Sequence, residues 1–303
     1  MLKNRFCTAH GAQALEKKSV LITGCSSGIG RALALGLHQR GYRVFATVRQ
    51  AKDMAHLTGL GLESLTLDLT SSESIKQALD EILTRTQGRL YALINNGAYG
   101  QPGAVEDLRR DTLRRQFETN LFGTQELTNR VLPAMRAQNE GRIIQMSSIL
   151  GIVAFAYRGA YTASKYALEA LSDTLRLELN GTNIHVALIE PGPITSRFRD
   201  NAYQAFLANI DREHSAHSDY YRHVEQRLGG NKPLPFTLPP EAVLEKTLHA
   251  LEARRPRVRY AVTFPTHLFA VLRRLLPARA LDRLLLAASG AGRSSGSSTP
   301  WCG

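Results

Sequence analysis

Residues 19–30 read Ser19-Val20-Leu21-Ile22-Thr23-Gly24-Cys25-Ser26-Ser27-Gly28-Ile29-Gly30, and the reading of the fold turns on them. Four of the first five are β-branched or apolar, and the run reads as a buried strand. Residues 31–40 have the composition of a helix. Between strand and helix lies a loop carrying three glycines. At such a junction, backbone N–H groups and a helix N-terminus converge on a space that suits a pyrophosphate. The spacing is G-x-x-x-G-x-G, one residue wider than the usual dinucleotide fingerprint. A tight turn could use the same glycines for geometry alone. The strand–turn–helix setting favours dinucleotide binding, with Gly24, Ser26, Ser27, Gly28, Ile29 and Gly30 as the contact candidates.

Outward from this loop, short apolar runs alternate with helical stretches. Strands are expected at 44–48, 64–67, 91–95, 142–146 and 184–189, and helices at 74–84, 161–179 and, as one long stretch, 105–135. Near-continuous apolar strands separated by helices imply a parallel sheet covered on both faces. Right-handed crossovers then make a doubly wound α/β sheet, a Rossmann fold, the economical topology. The rhythm breaks at 196–240, a polar and aromatic stretch without clear strands, expected to be a substrate lid. A helix at 240–253 and a seventh strand at 257–262 restore it. The expected division is a flexible extension at 1–18, one catalytic domain at 19–262 and an appendage of amphipathic helices at 263–288. A disordered Gly/Ser-rich tail follows at 289–303.

Chemistry-bearing residues fall at the strand ends. The second strand ends in Thr47-Val48-Arg49, with no acid before Asp53. An acid there would bond a ribose 2′-hydroxyl, whereas an arginine suits a 2′-phosphate, so Arg49 points to NADP(H). Tyr161 and Lys165 are spaced i, i+4 and share a helix face. An ammonium beside a phenol favours the phenolate and would lower the tyrosine pKa. Ser148 follows the fifth strand. Alone, a Y-x-x-x-K pair is as well explained by solvent exposure. In this order after the glycine loop it reads as catalytic.

Taken together, these motifs resemble the short-chain dehydrogenase/reductase family, and most closely its hydroxysteroid and retinol dehydrogenase branch. They are Thr23–Gly30, Asn95-Asn96-Gly97-Ala98, Ser148, Tyr161-x-x-x-Lys165 and Pro191-Gly192, in that order, over about residues 19–262. The family's usual Asn-Asn-Ala-Gly is transposed here. The resemblance implies that Tyr161 exchanges a proton with a carbonyl or alcohol oxygen held by Ser148. Lys165 would lower the tyrosine pKa and bond the nicotinamide ribose, and Asn120 would place a water linking Lys165 to solvent. It further implies cofactor contacts from Asp68, Leu69, Asn96, Gly97, Pro191, Gly192, Ile194 and Thr195. Lid residues Phe198, Tyr203, Phe206, Leu207, Tyr220, Tyr221 and Phe236 suit a hydrophobic pocket for a steroid, retinoid or long-chain aldehyde or ketone.

Composition sets the outer bounds. A 303-residue chain with 43% hydrophobic and 21% charged residues is neither disordered nor a multi-span membrane protein. Three cysteines with no C-x-x-C spacing suggest no disulfide framework or zinc site and fit a reducing, cytoplasmic compartment. His214, His217 and His223 read as solvated loop histidines rather than a metal set. The net charge is +12, but residues 253–303 hold nine arginines against one aspartate, so most of the excess lies toward the C-terminus. No nucleic-acid motif accompanies it. The apolar stripe at 265–288 fits core packing, a subunit interface or peripheral membrane contact, and a homo-oligomer is expected. A non-catalytic dinucleotide-sensing protein on the same fold is the rival reading.

Overall fold

In the computed structural model, seven parallel strands pair in the order β3-β2-β1-β4-β5-β6-β7. They are β1 (Ser19–Ile22), β2 (Arg43–Val48), β3 (Glu63–Thr66), β4 (Ala92–Asn95), β5 (Gly141–Met146), β6 (Ile184–Glu190) and β7 (Arg259–Ala261). The structure describes residues 17–229 and 234–289. Nearly all of the expected N-terminal extension and C-terminal tail, and residues 230–233 of the expected lid, therefore lie outside the described residues. The connecting helices are α1 (Gly28–Gln39), α2 (Met54–Thr58), α3 (Ser72–Arg85), α4 (Arg110–Phe117), α5 (Gly123–Ala137), α6 (Gly159–Glu178), α7 (Phe198–Asn209), α8 (Ser218–Gly229), α9 (Glu241–Glu252), α10 (Phe264–Leu275) and α11 (Ala278–Ser289).

The strand pleat divides the core. Val20 and Ile22 point to a layer shared with Leu33 and Leu37 of α1 and Val243 and Leu251 of α9. Leu21, between them, joins Leu93 and Ile143 against α3, α5 and α6. Burial on both faces is what drives the all-parallel arrangement. The strand order reverses between β1 and β4, which opens a crevice at their C-terminal ends.

One expectation is corrected. Residues 105–135 are not one helix. A 3₁₀ turn at Val105–Asp107 gives way to α4, then a π-turn at Glu118–Phe122, then α5. The π-turn inserts an extra residue, and Asn120 is buried within it. α5 then starts against the chain after β3, because a Cβ at Gly123 would lie 1.8 Å from the Leu69 carbonyl oxygen.

The segment 196–240, expected as a lid without strands, holds α7 and α8, which build a separate core with Ala104, Leu108 and Ala160. Phe206 and Tyr221 are buried there, and Tyr203, Leu207 and Tyr220 pack against them. Tyr221 accepts a 2.8 Å bond from Ala104 N–H and donates to Asp107. Of the aromatic residues expected in the pocket, only Phe198 and Phe236 line the cavity described below. The others stabilise the cap that carries them.

Candidate active site

The glycine loop is held from below. Thr23 Oγ1 accepts from Asn96 N–H at 3.0 Å and Gly97 N–H at 2.8 Å, while Asn96 Nδ2 donates to the Thr23 carbonyl at 2.9 Å. Cys25 N–H bonds the Thr47 carbonyl at 2.8 Å, tying the loop to β2. Gly24 adopts φ +72°, and a Cβ at Gly30 would lie 2.2 Å from the Gly24 carbonyl oxygen, so this turn excludes side chains at both positions. Ser27 caps α1 without a side-chain bond. The first amides of the helix are therefore not claimed by that side chain. The Cys25 thiol is fully buried and bonds the Ile22 carbonyl; burial pushes it up to about 12, so it is not a nucleophile.

Above the next strand ends lies the reactive cluster. Ser148 leaves β5 with extended backbone, and its Oγ accepts from Leu150 N–H at 3.1 Å. α6 carries Tyr161, Lys165, Glu169 and Ser172 on its sheet-facing stripe, all buried. Tyr161 and Ser148 line the same wall of the cavity, and the Ser148 side chain works to lower the tyrosine pKa. Lys165 Nζ donates to the Met146 carbonyl at 2.7 Å and lies 5.7 Å from the Tyr161 ring centroid. The anticipated depression of the tyrosine pKa gives way to burial, which pushes Tyr161 up to about 12 against the smaller lowering from Ser148. Burial also brings Lys165 down to about 8, opposed by the negative charge of Glu169.

Asn120 is buried behind this cluster rather than exposed in the cavity. Its Oδ1 accepts from Tyr99 N–H at 3.1 Å, and its Nδ2 donates to the Tyr99 carbonyl at 2.9 Å and to Ser164 Oγ at 3.1 Å. The side-chain amide is thus committed to fixing the chain after β4 and the middle of α6.

A charged cluster that sequence reasoning missed lies under the lysine. Arg259 of β7 donates to Glu169 at 3.1 Å and Asp173 at 2.6 Å, and its Nε is 3.3 Å from Glu190. Burial, reinforced by the charge of Glu169, pushes Glu190 up to about 7. The available signals were the acid four residues after Lys165 and single charges within apolar strand runs.

These pieces surround one cavity of about 850 Å³. Its walls include Gly24, Ser26, Ser27, Gly28, Ile29, Gly30, Asn96, Gly97, Ser148, Tyr161, Lys165, Pro191, Gly192, Ile194 and Thr195. Arg49, Asp68 and Leu69 lie outside those walls, just after β2 and β3. Arg49 is exposed, Leu69 is buried, and Asp68 Oδ1 accepts from Thr70 N–H at 2.9 Å. Sequence reasoning also missed Arg197, which reaches across to the Ser26 carbonyl at 3.2 Å, and the contribution of α11 through Ala288 and Ser289. Phe198 sets its ring edge-on to Tyr161 at 5.3 Å. Phe155, Leu268 and Phe269 extend the apolar wall. Among the described residues no group of three His, Cys, Asp or Glu side chains could hold a metal ion. His217 instead bonds Tyr157 and Glu106.

A glycine-lined helix N-terminus at the sheet's reversal point, opening onto a buried Ser–Tyr–Lys cluster, defines a class of dinucleotide-dependent enzyme. Residues 18–206 match the family model described as short chain dehydrogenase, and the chain belongs to that family. It is 44% identical over 269 residues to the uncharacterized oxidoreductase YbbO of Escherichia coli (strain K12), covering 89% of this chain and 94% of that protein. It is 36% identical over 282 residues to retinol dehydrogenase 5 of Homo sapiens, covering 88% and 87%. Its fold matches a crystal structure of actinorhodin polyketide ketoreductase with NADPH at TM-score 0.67 and 25% identity, covering 81% and 95%. The chain is an oxidoreductase of this family.

Proposed function

We propose that the chain is an NADP(H)-dependent oxidoreductase that interconverts a carbonyl and an alcohol on an apolar substrate such as a steroid, retinoid or long-chain aldehyde. The observation that carries this reading is the Ser148–Tyr161 pair, set above Lys165 at the base of a cavity with an aromatic and aliphatic wall. The dinucleotide fits on the structure's own terms, because the turn at Gly24 and Gly30 has no room for side chains and leads into the first amides of α1. Gly24, Ser26, Ser27, Gly28, Ile29 and Gly30 would hold the pyrophosphate, and Asp68, Leu69, Asn96 and Gly97 the adenine side. Pro191, Gly192, Ile194 and Thr195 would hold the nicotinamide side. Arg49, exposed after β2, would pair with a 2′-phosphate.

When bound, the nicotinamide supplies hydride to the carbonyl carbon or takes it from the alcohol carbon. Ser148 Oγ holds the substrate oxygen. Tyr161 gives its hydroxyl proton to that oxygen in reduction and takes it back in oxidation. The Lys165 ammonium, 5.7 Å from the Tyr161 ring centroid, would supply the positive charge that stabilises the phenolate left after reduction. Asn120 acts as a positioning residue, holding the backbone at Tyr99 and bracing Ser164.

The names of the relatives support the substrate class, and the apolar wall supports it independently. Following NADPH oxidation across aldehydes, ketosteroids and retinal, then repeating with NADH, tests the reading. Turnover of an apolar carbonyl with NADPH preference is the expected result. A strong NADH preference overturns the role of Arg49, and no turnover with either cofactor favours the non-catalytic rival. No described helix is long and apolar enough to cross a membrane. We further propose a cytoplasmic homo-oligomer, for which the exposed Phe122, Leu171 and Leu177 around α5 and α6 offer apolar surface.

A further inference from the structure

α10 carries two apolar stripes. Phe269 and Leu272 face inward and pack with Ile149, Leu150 and Val153 beside the catalytic loop. The other stripe is Phe264, Leu268, Val271 and Leu275, spaced i, i+4, i+7 and i+11, and these are 59%, 39%, 50% and 73% exposed. Helices of globular proteins ordinarily turn a single such stripe to the core. This second stripe begins at the cavity: Phe264 and Leu268 line it, as do Leu234 and Phe236. Phe236 is 61% exposed and sets its ring 5.3 Å from that of Phe264. The wall of the cavity therefore continues outward as an exposed apolar rim.

We propose that this rim docks on the surface of an anionic lipid bilayer, so that an apolar substrate passes between the lipid and the cavity. Charge selects this occupant. The two helices α10 and α11 together carry four arginines, Arg273, Arg274, Arg279 and Arg283, against the one aspartate Asp282. Arg274 on α10 and Arg279 and Arg283 on α11 are exposed, with Asp282 the single acid among them. An apolar stripe bordered by arginines is the composition of a helix lying in an anionic interface. A second copy of the chain would bring the same positive charge against itself and would cover the mouth. Lipid leaves the mouth in contact with the phase where an apolar substrate dissolves. At 12 residues, α10 is too short to span, so it lies on the surface. The docking stands on the rim itself, and only the passage of substrate rests on the oxidoreductase reading.

The test is cosedimentation of the full chain with phosphatidylcholine vesicles, with and without phosphatidylglycerol. The protein is expected to pellet with the anionic vesicles alone. Val271→Asp combined with Leu275→Asp, at positions outside the cavity wall, is expected to cut the bound fraction about tenfold or more. The melting midpoint and NADPH-dependent turnover of a water-soluble aldehyde should stay unchanged. Arg279→Glu with Arg283→Glu is expected to abolish the preference for phosphatidylglycerol, and it serves as the independent variant should the first fail to fold. Wild-type protein that stays in the supernatant, or variants that bind as well as wild type, overturn the proposal. Loss of a dimer in the Val271→Asp, Leu275→Asp variant, with vesicle binding unchanged, assigns the stripe to a contact between copies and also overturns it. Vesicle binding without turnover of any aldehyde would defeat the catalytic reading while leaving the docking intact.

Discussion

On the floor of the cavity Tyr161 is 8% exposed, Lys165 3% and Ser148 9%, each on a strand end or helix fixed by the parallel sheet. On its cap Phe198 is 37% exposed, Phe264 59% and Phe236 61%, on short helices and a loop. That loop reaches the floor through two bonds, Thr195 N–H to the Leu238 carbonyl and Leu238 N–H to the Pro193 carbonyl. The floor holds reacting groups in one geometry and pays no reorganisation when charge develops. The cap offers apolar area and little fixed polarity, which sorts substrates by fit. Changes to the floor should therefore alter kcat for every substrate alike, and changes to the cap should alter KM substrate by substrate.

The largest effect is expected from Tyr161→Phe. It removes the transferable proton and leaves the ring against Phe198, so kcat should fall by roughly 10²–10⁴-fold for all substrates while NADPH titrations by fluorescence stay normal. A variant with near-normal kcat would break the assignment of the floor.

Next comes Arg49→Ala, just after the end of β2. Losing one charge-assisted bond should raise the KM for NADPH about 10–100-fold and leave that for NADH nearly unchanged. Equal effects on both cofactors would mean that Arg49 contacts something other than a 2′-phosphate.

The pH profile probes the floor from beneath. Lys165, ordinarily at 10.5 and brought to about 8 by burial, is useful as the ammonium, and Tyr161 keeps its proton until about 12. Reductive kcat should therefore hold below about pH 8 and decline as Lys165 loses its proton above it. The Glu169 charge favours that ammonium. Glu169→Gln should move the decline to lower pH by about one unit. A purely structural role for Glu169 would instead lower kcat equally at all pH values.

The floor was also the more legible half. β1, β2, β4, β5 and β6 fall within a residue or so of their apolar runs, because burial on both faces writes itself as hydrophobicity. Ser148, Tyr161 and Lys165 converge as the motif order implies, since rigid elements convert sequence spacing into position. The π-turn at Glu118–Phe122 left no trace, because one inserted residue barely disturbs a helical period. The aromatic residues of α7 and α8 misled for a related reason: composition shows that Phe206 and Tyr221 need burial, but not which core receives them. The Arg259 cluster was hidden because a charge in a strand reads as exposure unless its partners on α6 are known.

The smallest effect tests the cap at its rim. Phe236 adopts φ +61°, a left-handed conformation that costs a side-chain-bearing residue about 1–2 kcal/mol, while its ring lines the mouth. Phe236→Gly relieves that strain but adds freedom to the unfolded chain worth about 0.5–1 kcal/mol, so the melting midpoint should move little. Removing a ring that is partly covered by Phe264 forfeits on the order of 1 kcal/mol of apolar contact with a long substrate. KM for a long-chain aldehyde should then rise about fivefold, with kcat and the KM of a short aldehyde unchanged. If kcat fell for both, the rim would be coupled to Tyr161 through the Phe198 side of the cavity, and the separation between a floor that reacts and a cap that selects would not hold.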